Sequence, residues 1–159
     1  MPLSGYELDE IGEVELQRLV ESGASEHPRF DVKGGQLPGK TGDERRKFLR
    51  EIVSFANADG GDLVFGAVDR DGIVSDVPGW QSENAERDVN ALVDSARNNI
   101  DPRISGLRFH PVPLANGNHV LVIRIPKSPD GPHMVTYSGI NQYWLRTGMS
   151  KALMSAAEV

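Results

Sequence analysis

Arg29-Phe30-Asp31-Val32-Lys33-Gly34-Gly35-Gln36-Leu37-Pro38-Gly39-Lys40-Thr41 holds the change of period on which the fold turns. Up to Lys33, apolar and charged residues alternate. This predicts a strand with Phe30 and Val32 toward a core and Arg29, Asp31 and Lys33 together on the opposite face. Residues 34 to 39 read as a glycine-rich loop. From Thr41 the spacing becomes helical: Thr41 with Glu44 fits a capping box, and Phe48, Leu49, Ile52, Val53 and Ala56 make an apolar stripe. Asn57, Asp59 and the Gly60-Gly61 pair should stop that helix. Leu63 to Val68 is then an apolar run without polar alternation, as in a strand covered on both faces. Strand, helix and strand in this order predict one parallel crossover.

Outward from this unit, Glu7 to Ser22 carries apolar residues at Leu8, Ile11, Leu16, Leu19 and Val20, which predicts an acidic amphipathic helix ending at Gly23. Asp69-Arg70-Asp71-Gly72 is a tight-turn signal with Ile73-Val74 returning as a hairpin partner, and Ser82 to Ile100 has helical spacing closed by Asp101-Pro102. The last third reads as β structure. Leu107 to Pro113 and Val120 to Ile125 flank the hairpin signal Asn116-Gly117, and Met134 to Tyr137 and Gln142 to Arg146 flank Ser138-Gly139. Lys151 to Val159 is an alanine-rich tail with weak helical character. The expected fold is a single α+β domain, a mixed, largely antiparallel sheet with helices packed on it. It divides into an acidic N-terminal helix (residues 1–22), the domain body (23–150) and the tail (151–159).

The chain has 159 residues and no cysteine, which excludes disulfides, thiolate metal sites and cysteine nucleophiles. With no signal-peptide pattern and no apolar run of membrane-spanning length, the expectation is a cytoplasmic protein that does not engage a membrane. The net charge of −6 argues against a polyanionic partner until its distribution is read. Seven acids against Arg18 alone lie in residues 1–26, so residues 27–159 are neutral, and Arg29 to Arg50 hold seven bases against three acids. A local basic surface is one reading of that segment, and a solvated helix face is the other.

Two constellations carry chemistry. Residues 34 to 41 satisfy G-x-x-x-x-G-K-S/T, with Gly34, Gly39, Lys40 and Thr41 in the phosphate-cradling positions, between a predicted strand and a predicted helix. Against an ATP site stand the charged face of the preceding strand and the hairpins of the last third, so an ordinary glycine-rich loop competes with it. The second constellation is Glu26, Asp31, Lys33 and Asp69. Carboxylates near a lysine suit metal-assisted phosphodiester cleavage, with Glu26, Asp31 and Asp69 holding Mg2+ or Mn2+ and Lys33 beside the phosphate. The plain alternative is a surface Asp31–Lys33 ion pair and an Asp69 that caps a turn. His27, His110, His119 and His133 show no ligand spacing and read as surface or half-buried residues. No serine sits in a nucleophile elbow. Trp80, Tyr137, Tyr143 and Trp144 read as packing residues, with base stacking as the alternative.

Over about residues 20 to 150 the sequence resembles the Schlafen-type AlbA-like domain. The matching blocks are Glu26 followed by Phe30-Asp31-Val32-Lys33, then Ser54-Phe55-Ala56-Asn57-Ala58-Asp59-Gly60-Gly61, then Leu63 to Gly72. Val122 to Ser128 with Pro132, and the finish Tyr143-Trp144-Leu145-Arg146-Thr147-Gly148, complete the set. Asp31 stands where the family usually has Glu. The resemblance implies nucleic-acid binding, RNA before DNA, and in cleaving members a metal-dependent endoribonuclease acting on structured RNA such as tRNA. There the acids matching Glu26, Asp31 and Asp69 hold the metal. Lys33 would contact the scissile phosphate, and Arg45, Arg46, Arg50 and Arg146 flanking phosphates. Two alternatives remain: a nucleotide-binding module using Gly34 to Thr41, and a non-catalytic domain that self-associates as a homodimer through its acidic first helix or free strand edges.

Overall fold

The structure is a computed structural model and describes residues 3–39, 41–136, 142–147 and 150–153; among residues 142–153, Trp144 alone has its side chain described. Strand β1 (Phe30–Lys33) pairs in parallel with β2 (Gly61–Phe65), Phe30 opposite Asp62 and Lys33 opposite Phe65. Helix α2 (Gly42–Ala56) is the crossover between them, as the change of period predicts. β2 continues antiparallel to β7 (His119–Ile125), and β7 to β6 (Arg108–Pro113), giving the order β1-β2-β7-β6. A second, antiparallel sheet has the order β10-β9-β8-β5, from β5 (Ile100–Asp101), β8 (Met134–Val135), β9 (Gln142–Thr147) and β10 (Ser150–Leu153). The hairpin β3 (Val68–Arg70) and β4 (Ile73–Asp76) stands apart from both. Helices α1 (Glu13–Glu21) and α3 (Ala85–Asn98) complete the described elements. The α+β class, the single parallel pair and the three expected hairpin pairings all hold; the Ser138-Gly139 tip lies outside the described residues.

Period-two alternation sorts the main sheet into two cores. Leu121, Ile123 and Ile125 of β7 face α2 and α3, where they meet Phe48, Leu49, Ile52, Val53, Leu63, Phe65, Val89 and Leu92. Val120 and Val122 face the other way, onto Phe30, Val32, Val64 and the N-terminal residues Leu3, Leu8, Ile11, Leu16 and Leu19. Phe30 and Val32 thus pack under the N-terminal layer, and Asp31 and Lys33 turn toward α2. Asp62 of β2 is buried at 4% exposure and takes a two-point ion pair from Arg124 of β7, Nε to Oδ1 at 2.9 Å and Nη2 to Oδ2 at 3.1 Å. The same guanidinium donates to the carbonyls of Tyr6 at 2.7 Å and Leu3 at 2.8 Å, tying the N-terminal residues to the sheet.

Four expectations are corrected. The N-terminal helix covers Glu13–Glu21 rather than Glu7 to Ser22, because Gly12 is extended and acts as its N-cap; Leu8 and Ile11 are still buried, on a 3-10 turn and the residue after it. The run Leu63 to Val68 is not one strand. Gly66, at φ +99°, breaks it where the backbone passes Gly79, and a Cβ there would stand 3.0 Å from the Gly79 Cα. The Asp31–Lys33 ion pair of the plain alternative forms, but it is not a surface pair throughout, since Asp31 is buried while Lys33 is partly exposed. Residues 151–153 of the tail belong to strand β10, paired with β9, rather than to a helix; residues 154–159 lie outside the described set.

Replacing Arg124 by Met leaves the Asp62 carboxylate buried without its partner and should cost about 3 kcal/mol. Urea unfolding is expected to show a lower midpoint with an unchanged slope.

A candidate phosphodiester site at strand β1

Strand β1 presents Asp31 and Lys33 to the buried flank of α2. The Lys33 Nζ lies 3.3 Å from Asp31 Oδ2 and 3.4 Å from Glu51 Oε1. Glu51, on α2, is 6% exposed. Burial works to lower the Lys33 pKa, and the Glu51 and Asp31 carboxylates outweigh it, so the ammonium is held above its ordinary value. Glu26 arrives from the segment before β1. Its Oε2 accepts the Val32 N–H at 3.1 Å, and its carboxyl hydrogen-bonds Asp31. Partial burial, that bond and the nearby negative charges of Asp31 and Asp69 push the Glu26 carboxyl up to about 7, so it keeps a proton well above the usual carboxylate range.

The structure therefore gathers Glu26, Asp31 and Lys33 into one site and adds Glu51, which the sequence reading missed. Its only signal was a lone acid on the apolar side of the α2 pattern, at Phe48 plus three. Asp69 is a partial correction. It is exposed, its Oδ2 accepts the Gly72 N–H at 3.1 Å within the β3–β4 turn, and it reaches the site through its charge rather than through contact. Among the described residues no three Asp, Glu or His side chains are placed to hold one metal ion together. Glu26 and Asp31, two adjoining carboxylates whose repulsion is relieved by a shared proton, do suit a water-rich Mg2+ or Mn2+ site, since such ions take few protein ligands.

The remaining candidates divide. Arg45 is a correction: it is buried and spends its guanidinium on the carbonyls of Gly39 at 3.2 Å and Ala91 at 3.1 Å and on the Ser95 hydroxyl, joining α2 to α3. Arg46 and Arg50 are half-buried one turn apart on α2, with Arg46 3.3 Å from the exposed Asp43. The Arg50 guanidinium lies 5.0 Å from the ring centre of Trp144 on β9. The Nε–H groups of both arginines and the Trp144 indole N–H are shielded and bond no described residue. The Arg146 side chain and Lys40 lie outside the described residues. In the glycine-rich loop, Thr41 is the N-cap of α2: its hydroxyl accepts the Glu44 N–H at 3.3 Å and donates to Glu44 Oε2 at 3.1 Å. Gly34 packs against Val68, and the strand before the loop is the sheet's edge, in a sheet with one parallel pair.

Among the other aromatic and histidine candidates, Trp80 is a core residue. His133 is fully buried, contrary to expectation, with Nδ1 2.6 Å from the Pro102 carbonyl and Nε2 2.5 Å from the Ser128 hydroxyl. Its N–H donates to Asn57 Oδ1 at 2.6 Å, and Asn57 Nδ2 donates to the carbonyls of His133 at 3.0 Å and Trp144 at 2.8 Å. Asn57 thereby fastens the end of α2 to the second sheet. No helix among the described residues is long and apolar enough to cross a membrane.

A raised carboxyl pKa in the folded state adds stability that is fully present below the ordinary value and is lost as pH rises through the folded one. Glu26→Gln fixes the neutral form. With chelator present, its melting temperature is expected to match the parent's near about pH 5 and to exceed it near about pH 8; parallel curves would mean that Glu26 does not hold the proton.

Two solved structures share this architecture. The DIP2311 protein of Corynebacterium diphtheriae has a TM-score of 0.59 at 17% identity over 90% of this chain, which spans 30% of that protein. The N-terminal domain of an ATP-dependent DNA helicase RecG-related protein from Nitrosomonas europaea has a TM-score of 0.51 at 15% identity, over 72% of this chain and 76% of that one. No curated protein sequence matches. The family model described as Schlafen, AlbA_2 matches residues 26–155, from the acid that opens the site to the strands that follow Trp144, and the chain belongs to that family.

Proposed function

We propose that this domain binds nucleic acid across α2 and, with a divalent ion at Glu26 and Asp31, cleaves RNA. The observation that carries the reading is a group of basic side chains on the outward arc of α2, shared with Asp43 at 3.3 Å from Arg46, that leads to an acidic pair. On the helix, Arg46, Arg50 and the exposed Lys47 occupy one outward arc, since positions three and four apart are neighbours. Lys33 lies beyond that arc, next to Glu51 of the same helix. The Arg50 guanidinium stands 5.0 Å from the centre of the Trp144 ring, a cation beside an aromatic face, the combination that holds phosphates and bases together. Membership of the family and the likeness to a RecG-related N-terminal domain support the binding half of this reading.

Within the site, Lys33 is charged at neutral pH and positioned to hold a phosphate oxygen. Glu26 and Asp31 would be the residues to hold Mg2+ or Mn2+, and such an ion would supply an activated water and positive charge beside the phosphate.

Incubation with tRNA, ribosomal RNA and single-stranded DNA, with Mn2+ and then with chelator, is expected to yield fragments of structured RNA with Mn2+ alone. Asp31→Asn should lose the cleavage and keep a cooperative thermal transition. Arg46→Ala and Arg50→Ala should each weaken binding and flatten its salt dependence by about one unit of the logarithmic slope. Cleavage that persists in chelator or in Asp31→Asn would remove the catalytic half of the reading and leave the binding half.

A further inference from the structure

Beside Lys33 the surface opens into a cleft of about 360 Å³, walled by Lys33, Phe65, Phe48, Glu51, Lys47 and the loop residues Gln36 and Pro38, with Glu44 at its rim. The basic arc used above does not account for it. Its volume sits at the low end for ligand pockets, fit for one planar ring system and far too small for a duplex. Its inner wall is aromatic, with Phe48 and Phe65 ring centres 6.1 Å apart. Two ammonium groups, Lys33 and Lys47, stand on it. The exposed Gln36 makes no hydrogen bond to a described residue, and its amide offers both donors and an acceptor. Of the two carboxylates, Glu51 is ion-paired with Lys33, while Glu44 accepts from the Thr41 hydroxyl and leaves one negative charge at the rim against the Lys47 ammonium.

We propose that this cleft takes one unstacked nucleobase of a strand whose phosphate lies on Lys33, with the Gln36 amide reading the edge of the base. The inference rests on the nucleic-acid reading above and adds the form of the partner. A base can enter only when it is out of a continuous stack, so the domain selects single-stranded or looped segments over uninterrupted duplex. It also gives the glycine-rich loop a role: residues 36 to 38 form a wall for a base instead of a cradle for phosphates.

The test compares binding of one RNA as a single strand, as a hairpin with an open loop and as a fully paired duplex of equal charge, at one salt concentration in chelator. The parent should bind the strand and the loop at least about tenfold more tightly than the duplex. Gln36→Met keeps the length of the side chain and removes its hydrogen bonding. It should lose about tenfold in affinity for the strand and the loop and stay within about twofold on the duplex, in line with the worth of one edge-reading pair. Equal affinity of the parent for all three forms would overturn this inference alone, as would a Gln36→Met variant that lowers none or all of them equally. Absence of binding to any form would overturn it together with the nucleic-acid reading.

Discussion

The parallel pairing of β1 with β2 is the constraint on which the rest depends. Parallel neighbours cannot be joined by a tight turn, so the chain must leave the sheet, cross one face and return. Here the crossing element is α2, and it is laid over the face of β1 that carries Asp31 and Lys33. A strand with alternating charge, which could have been a solvated edge, becomes a strand covered on both sides. Burial follows, and from burial follow the Lys33 contacts to Asp31 and Glu51 and the proton retained by Glu26. The chemistry of the site is thus a by-product of connectivity.

The same crossover explains why one helix serves two purposes. Its apolar stripe, from Phe48 to Ala56, fills the core against β2, β7 and α3. Its outward arc holds Arg46, Lys47 and Arg50. Glu51 and Arg45 lie between, on the borders of the two faces, and each is buried with partners: Arg45 toward α3 and the loop, Glu51 toward β1. Charged residues at such borders act as fasteners, and the loss of either partner would leave a charge poorly solvated.

Much of this was legible in the sequence because it depends on local period. The capping box at Thr41 and Glu44, the α2 stripe, the Asn116-Gly117 hairpin and the single parallel crossover are all short-range signals, and each is found where the pattern places it. What could not be read depends on distant packing. Glu51 looks like any helix acid until β1 is placed under it. Arg45 is indistinguishable from Arg46 by type and differs only in which side of the helix meets α3. The break at Gly66 fits the approach of Gly79 from a later segment; within Leu63 to Val68 the glycine is its signal, but what it makes room for is not legible there. His133 stood alone in the pattern, and its burial arises from a loop that folds back onto the end of α2.

Asn57 lies at that helix end and holds one carbonyl of the second sheet at Trp144 and another at His133. The indole that faces Arg50 is therefore carried on a backbone held by an amide that is no part of the basic arc. A damaged amide there would misalign the ring and the guanidinium together. In a screen for loss of binding, such a change would imitate a defect of the contact surface while touching none of it.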